Sequence, residues 1–221
     1  MTTSDDKVML DIVLQVSLVL VVGIIFLFIQ NFPRNILNRI RARRNRTQTD
    51  AKCHFVRGAQ LYAQARSSSM NSRSKSKNLA KQAEDEADRA ISLDPTDAAS
   101  HILKALTLDL QGFKSSALSS FDIALSPLAS ATLSSSERSD ALLRRAELIL
   151  SGKGKVTGLD PAIADLTKAV DLSPSNASAF SLLGGCYEQK QMKEEARKAY
   201  ELALKAQPDL VEAKDALRRL D

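Results

Sequence analysis

The stretch ASAFSLLGGCYEQKQMKEEARKAYELALKAQPDL, residues 177–210, decides the fold of this chain, because bulky and small residues alternate in it at helical spacing. Phe180, Leu183 and Tyr187 lie three and four positions apart, which places them on one face of a helix. Gly184 lies on the same face and has no side chain to hold a second helix away. The pattern therefore predicts a helix whose partner approaches closely at the glycine.

A second helix follows after a short turn, and its small residues complete the pairing. Ala196 and Ala203 allow the close approach, while Tyr200 fills the space between them. Pro208 ends the helix because proline cannot donate the backbone hydrogen bond that a further turn requires. With a suitable residue at eight positions, the stretch resembles a tetratricopeptide repeat, a helix pair that stacks on its neighbours.

The same pattern recurs three times towards the N-terminus with decreasing fidelity. The copies cover residues 139–176, 98–138 and a degenerate 51–97, and residues 211–221 predict a capping helix. Polar residues that favour helix starts stand at the junctions, namely Thr96, Asp97, Ser134, Glu137, Ser175 and Asn176. The resemblance thus implies an all-α solenoid of about four helix-turn-helix repeats. A generic helical bundle would share the Ala and Leu periodicity, but it would not place Gly and Pro at these positions.

Two repeats depart from the family pattern. The first helix of repeat 51–97 can be aligned through Phe55, Ala59 and Tyr62 or through Gly58, and we favour the aromatic pair because both rings then reach the next helix. Serines and basic residues at 66–77 predict a mobile loop or an extension of either helix. Phosphorylation of those serines is a hypothesis, with an inert loop as the alternative. Repeat 139–176 carries a Gly-rich insertion in its turn.

The N-terminus is predicted to be a membrane anchor. Residues 12–29 are apolar apart from Gln15, Ser17 and Gly23, and a helix of this length extends about 27 Å, close to the thickness of a hydrocarbon core. The leader before it is acidic, unlike that of a cleaved signal peptide, which is the alternative. We assign a lumenal tail to 1–7, a transmembrane signal anchor to 8–30 and a basic juxtamembrane linker to 31–50.

Positive charge is concentrated beside this apolar segment. Residues 31–77 hold twelve Lys or Arg and one acid, within a chain of net charge +5. The membrane-proximal basic residues are Arg34, Arg39, Arg41, Arg43, Arg44 and Arg46. Positive flanks stay in the cytosol, so the repeats are expected on the cytosolic side. The same charge attracts anionic lipid head groups, a simple topology signal being the alternative. No aromatic platform accompanies it, and nucleic-acid binding is not expected.

Members of the resembled family line a concave groove with the first helices of successive repeats. Carried over by register, this implies a partner-binding groove of apolar residues beside an Arg and two acids. Its residues are Ile102, Leu103, Leu106, Leu110, Leu143, Arg144, Glu147, Leu182 and Glu188. Such a surface suits an extended or helical peptide with hydrophobic anchors, although the leucines could instead pack between helices.

A chaperone C-terminal tail is not the expected partner. Family members that bind such tails use a clamp of five basic or amide side chains. The corresponding positions here are Val56 and Gln60 (or Phe55 and Ala59), then Leu103, Asp140 and Arg144. Arg144 alone keeps the required type.

Catalysis finds no support in the sequence, and no cofactor or metal is expected. The histidines and cysteines stand isolated, and the run Gly152-Lys-Gly-Lys lacks the spacing of a phosphate loop. The sequence therefore predicts a membrane-anchored scaffold that presents a cytosolic groove to a protein partner. An outer-membrane import receptor of mitochondria or plastids and a regulatory subunit of a membrane enzyme are the alternatives. The Val, Leu and Ile anchor favours the endoplasmic reticulum.

Overall fold

A computed structural model describes residues 3–30, 34–69, 72–152 and 158–220. All regular structure in these residues is helical. The helices are α1 (Thr3–Gln30), α2 (Arg34–Ser68), α3 (Arg73–Leu93), α4 (Ala98–Gln111), α5 (Lys114–Ala124), α6 (Pro127–Ser130), α7 (Ser135–Leu150), α8 (Leu159–Leu172), α9 (Ala177–Gln189), α10 (Lys193–Ala206) and α11 (Val211–Leu220). The chain divides into two compact units, residues 1–47 and 48–221.

The first unit contains α1, whose described apolar side chains are exposed. Large hydrophobic residues from Val13 to Leu27 present more than half of their surface to solvent. Within the described residues, no helix combines the length and the apolar character needed to cross a membrane. The span proposed for residues 8–30 therefore stays a prediction. Of the six membrane-proximal arginines, the side chain of Arg46 is exposed and the other five side chains lie outside what the structure describes.

The second unit is a stack of helix pairs closed by a single last helix. The successive pairs are α4 with α5, α7 with α8, and α9 with α10. They are preceded by α2 with α3, which meet where Gly58 approaches Ala83 and where His54 contacts Glu86. The small positions expected from the sequence are fully buried, and they are Ala83, Ala90, Ala105, Ala117, Ala124, Ala146, Ala162, Ala169, Ala196 and Ala203. The prediction of an all-α solenoid of tetratricopeptide-like helix pairs is confirmed.

The tightest contact joins α9 to α10 at Gly184. A Cβ atom built there would lie 2.8 Å from the Tyr200 ring, which is closer than carbon atoms approach without displacement. The Tyr200 hydroxyl donates a hydrogen bond of 3.0 Å to Glu188 Oε2. Burial raises the pKa of the Tyr200 phenol, and the bond to the Glu188 carboxylate adds to the shift. The phenol is therefore a neutral donor that locks the helix pair.

In the first repeat, the close approach occurs at Gly58 and not through the aromatic pair. A Cβ at Gly58 would lie 2.9 Å from Leu103 Cδ2 and 3.2 Å from the Ala83 carbonyl oxygen. Gly58 thus occupies the position that Gly184 occupies in the last repeat. The alignment through Phe55, Ala59 and Tyr62 was wrong, because a helix pair can approach this closely only where a side chain is missing.

Helix ends follow the capping signals in the sequence. The side chains of Asp97, Ser134 and Asn176 accept hydrogen bonds from the third residue along, and Ser134 with Glu137 forms a complete capping box. Segment 66–77 is helical up to Ser68 and again from Arg73, with Ser72 as the N-cap of α3. Pro127 is the first residue of the short helix α6. Residues 153–157, in the Gly-rich turn, lie outside the described residues.

Charged side chains fasten neighbouring helix pairs to one another. Arg145 on α7 donates from Nε and Nη2 to the two carboxylate oxygens of Asp165 on α8, at 2.7 and 2.6 Å. Its Nη1 donates at 2.7 Å to Asp122 of α5, in the preceding pair. At the C-terminal end, Ala213 and Ala216 of α11 are buried against the last repeat. Because α11 covers that apolar face, it acts as a cap.

Replacing Gly184 should destabilise the last repeat, and the adjacent glycine provides the control. Gly184→Ala places a methyl group 2.8 Å from atoms of the Tyr200 ring. The substitution is therefore expected to lower the free energy of unfolding by about 1–3 kcal/mol. Gly185→Ala meets only the Tyr200 hydroxyl at 3.6 Å, an ordinary contact. It should raise stability by about 0.5–1 kcal/mol because alanine favours a helix. Urea unfolding followed by circular dichroism measures both, and shifts of the same sign would contradict the packing described.

The two cysteines should differ sharply in reactivity. Cys186 is buried, and burial raises its pKa to about 11, so the thiol is protonated and inaccessible near neutral pH. Cys53 is exposed. Iodoacetamide should add one label to the folded protein and two after unfolding, as counted by intact mass. Cys53→Ser should remove the native label. Labelling of Cys186 in the folded protein would show that the core of the last repeat opens.

Candidate functional site

An open cleft of about 520 Å³ lies in the second unit. Helices α2, α4 and α7 form its walls, and the start of α9 closes one end. All four are first helices of their repeats. The lining residues are Phe55, Ala59, Tyr62, Ala99, Ile102, Leu103, Leu106, Leu133, Glu137, Asp140, Ala141, Leu143, Arg144, Asn176 and Ser178.

Apolar side chains form most of the surface of this cleft. Leu103 and Leu143 are only 4% and 6% exposed, so they form its floor and also hold the helices together. Phe55, Tyr62 and Ile102 are half-buried, and they line the walls. A ligand side chain placed between them would lose contact with water on several sides, which favours binding by the hydrophobic effect.

Polar groups at one end of the cleft are held in fixed positions. Asn176 caps α9 through its Oδ1 and donates from Nδ2 to Asp140 Oδ1 at 3.0 Å and to Ser139 Oγ at 3.1 Å. Glu137 accepts from the backbone N–H of Ser134 at 2.8 Å and from its hydroxyl at 2.7 Å. These hydrogen bonds lower the pKa of Glu137, so the carboxylate is charged at neutral pH.

A second pocket of about 330 Å³ extends the cleft along the same helices and shares Tyr62, Leu106 and Arg144 with it. Arg66, Asp109, Leu110 and Glu147 are among its further lining residues. Arg144 Nη1 lies 2.9 Å from Glu147 Oε2, so this guanidinium already has a partner on its own helix. Because the two pockets share Tyr62, Leu106 and Arg144, they form one continuous cleft.

The structure brings together seven of the nine groove residues inferred from the sequence. Ile102, Leu103, Leu106, Leu110, Leu143, Arg144 and Glu147 line the cleft. Leu182 does not, because its side chain packs against the core of the last repeat. Glu188 does not either. It accepts the Tyr200 hydrogen bond and lies 3.4 Å from Arg219 of α11, so it fastens the cap.

Sequence reasoning missed the contribution of α2. Phe55 and Tyr62 were expected to pack against the next helix, whereas they line the cleft. The signal that could have located them is Gly58. Phe55 and Tyr62 stand three residues before and four residues after it, which places both about 40–60° to one side of the glycine. When Gly58 itself turns to α3, the two rings therefore lie beside that contact, where they line the cleft. Asn176 was recognised as a helix start, but its second bond, to Asp140, depends on the stacking of α9 against α7.

The five positions that correspond to a carboxylate clamp all line the cleft when the first repeat is aligned through Gly58. They are Phe55, Ala59, Leu103, Asp140 and Arg144. Three are apolar and one is acidic, and the remaining Arg144 is paired with Glu147. At three of these positions the surface therefore offers apolar contacts, whereas a clamp would offer basic or amide side chains.

Both histidines make contacts within the solenoid. His54 Nδ1 lies 2.7 Å from Glu86 Oε2, and His101 Nε2 lies 3.0 Å from the Pro95 carbonyl oxygen. The His54 contact, with Arg89 and Arg57 nearby, holds the pKa of Glu86 below its usual value. In the described part of the chain, no group of His, Cys, Asp and Glu is arranged to hold a metal ion.

Comparison with known proteins agrees with this architecture. The family pattern of the tetratricopeptide repeat matches residues 177–210. Among solved structures, PilF of Pseudomonas aeruginosa aligns with a TM-score of 0.60 at 17% identity, over 79% of this chain and 68% of its own. MamA aligns with a TM-score of 0.58 at 16% identity, over 77% and 80%. A tetratricopeptide repeat protein of Thermus thermophilus aligns with 0.53 at 20%, over 77% and 80%.

At these identities, the structural matches establish the fold alone. No curated protein sequence matches the chain.

Proposed function

We propose that this protein is an adaptor that holds a segment of another protein in the cleft formed by α2, α4 and α7. The observation that carries the proposal is an apolar, open cleft lined by Phe55, Tyr62, Ile102 and Leu106. A tetratricopeptide fold suits protein–protein interaction, because stacked helix pairs create an extended concave surface. The partner would contribute hydrophobic anchors to this surface.

The rigidity of the cleft favours binding of a short segment. Leu103 and Leu143 are part of the packed core, and Gly58 brings α2 against α3 and α4. A ligand that enters such a surface does not need to order it first, so less binding free energy is lost. Each buried methylene group of the ligand then contributes about 0.8 kcal/mol.

We further propose that residues 8–30 anchor the adaptor in a membrane, with the repeats in the cytosol. The sequence supports this through the apolar run at 12–29 and the arginines that follow it. The apolar side chains of α1 are exposed, and the hydrocarbon core of a membrane would shield them from water. We favour the endoplasmic reticulum. Anionic lipid head groups would attract the basic segment 31–50.

Aromatic truncation in the cleft should weaken peptide binding. The probe is a pool of fluorescent, acetylated and amidated dodecapeptides with Leu or Phe at every fourth position, titrated with the full chain in neutral detergent. Phe55→Ala and Tyr62→Ala are each expected to weaken binding about tenfold or more, because each removes a large apolar contact. Fluorescence anisotropy measures the apparent dissociation constant of the peptide pool.

Phe113→Ala is the matched control, since Phe113 is exposed and lies outside the lining of the cleft. It should leave the affinity within about twofold of the unsubstituted protein, less than 1 kcal/mol. If the double variant of Phe55 and Tyr62 bound the pool as tightly as the Phe113 variant, the cleft would not be the binding surface.

The membrane proposal predicts resistance to alkaline carbonate. Leu20→Lys with Ile24→Lys should release the full chain from membranes, because a lysine at the centre of a span costs about 2.5–3.5 kcal/mol. Leu20→Ala with Ile24→Ala should remain bound. A fluorescent fusion of residues 1–50, imaged with organelle markers, is expected at the endoplasmic reticulum. Release of the unsubstituted chain by carbonate would refute the anchor, and an outer-membrane pattern would indicate an import receptor.

A further inference from the structure

The ionisable side chains of the cleft are predominantly acidic. The lining contains four carboxylates and two guanidinium groups, namely Asp109, Glu137, Asp140, Glu147, Arg66 and Arg144. Glu137 and Asp140 lie at the beginning of α7, whereas Glu147 and Asp109 lie near the ends of α7 and α4, so acidic groups occur at both ends of the apolar surface. The charge of a bound segment must be compatible with this distribution.

The central cation of the cleft is already neutralised. Arg144 Nη1 lies 2.9 Å from Glu147 Oε2, one turn further along α7. An acidic ligand would have to displace this carboxylate before it could bind Arg144. Arg66 is exposed at the far end of the cleft. Lys114 adds a cation near the same end, where its Nζ donates to the Ser151 carbonyl oxygen at 2.6 Å and to the Ser151 hydroxyl at 2.8 Å. The lining itself has two cations against four carboxylates, so it attracts an acidic segment less than a basic one.

Three carboxylates of the cleft make no direct ion pair with a described cation, although Lys114 acts on Asp109 from a longer distance. Asp140, Glu137 and Asp109 make no ion pair with any Lys or Arg among the residues that the structure describes. Asp140 is exposed, and the Asn176 amide holds one of its oxygens. Partial burial raises the pKa of Asp109, with Lys114 opposing the shift and Glu147 adding to it. A ligand cation brought close to Asp109 would add to the effect of Lys114 and favour the charged carboxylate.

The unpaired carboxylates lie next to apolar walls. Asp140 shares the cleft with Phe55 and Ile102, and Asp109 shares its end with Tyr62 and Leu110. A lysine or arginine can lay its methylene groups on such walls while its charged end reaches the carboxylate. Once a ligand excludes water from the cleft, the attraction between the charges becomes stronger than it is at an open surface.

We propose that the natural ligand of the cleft is a peptide segment whose hydrophobic anchors are flanked by Lys or Arg residues that pair with Asp140 and Asp109. This inference rests on the proposed function of the cleft and specifies the chemistry of the partner. It identifies a basic, amphipathic segment, in contrast to an acidic tail.

Three synthetic peptides test the charge preference with the full chain in neutral detergent. They are acetylated and amidated dodecapeptides with identical Leu and Phe anchors, and their flanking positions carry Lys, Ser or Glu. The Lys peptide should bind about tenfold more tightly than the Ser peptide, and the Glu peptide should bind more weakly than both. Raising the salt concentration from about 50 to about 500 mM should reduce the difference.

Two substitutions locate the preference. Asp140→Asn and Asp109→Asn keep the size of the side chain, and together they should bring the Lys peptide close to the affinity of the Ser peptide without weakening the Ser peptide. Glu201→Gln, an exposed acid on α10 outside the cleft, is the control and should change nothing. Thermal unfolding shows whether each variant is folded. The salt series tests the charge preference on the unsubstituted chain, so that test does not depend on the folding of any variant.

The outcomes separate this inference from the proposed function. Equal affinities for the three peptides, or a preference for Glu, would overturn the basic ligand while leaving the cleft as the binding surface, provided that Phe55→Ala still weakens binding. Absence of binding by all three peptides, or binding that Phe55→Ala with Tyr62→Ala does not weaken, would refute the cleft itself. A Lys preference that persists in the double Asn variant would overturn the assignment to Asp140 and Asp109.

Discussion

The solenoid depends on close contact between paired helices at positions that lack a side chain. At Gly184 the backbone of α9 lies directly against the Tyr200 ring, and at Gly58 the backbone of α2 lies against Leu103 and the Ala83 carbonyl oxygen. Fully buried alanines perform the same role along the other pairs. Interiors packed at this density respond even to one added methyl group, because a neighbouring ring or backbone must move to admit it. The same contacts therefore determine both the spacing of the helices and the faces that they turn towards each other.

The cleft is a consequence of that orientation. Gly58 meets α3 and α4, while Phe55 and Tyr62 lie beside it on the adjoining side of α2 and complete an apolar wall with Ile102 of α4. Leu103 serves both purposes, because it packs against Gly58 and also forms the floor of the cleft. A binding surface supported by core packing is rigid, which limits the conformational free energy lost when a ligand binds. Function and stability are thus linked at the same residues.

Polar contacts decide which charges the cleft presents. Arg145, which is the next residue after Arg144, is turned towards Asp165 and Asp122 and joins three helices. Arg144 faces the cleft, but Glu147 one turn later neutralises it. Asp140 is positioned by a hydrogen bond from Asn176, the N-cap residue of α9, and makes no ion pair with a described Lys or Arg. The pair of Arg144 with Glu147 neutralises one of the two lining cations and one of the four lining carboxylates, so an excess of carboxylates remains in the cleft.

The sequence by itself determined the helical repeat, the buried small positions and the helix starts, because these depend on spacing along one helix and on local capping. Ile102, Leu106 and Arg144 could be placed by the same register. Only the tertiary structure decided that Phe55 and Tyr62 line the cleft, and that Leu182 and Glu188 belong to the core and the cap. A single helix offers several faces, and its own residues do not specify which neighbour covers each one. That choice is made when adjacent helix pairs pack, since the closest approach available to them selects the face that is buried.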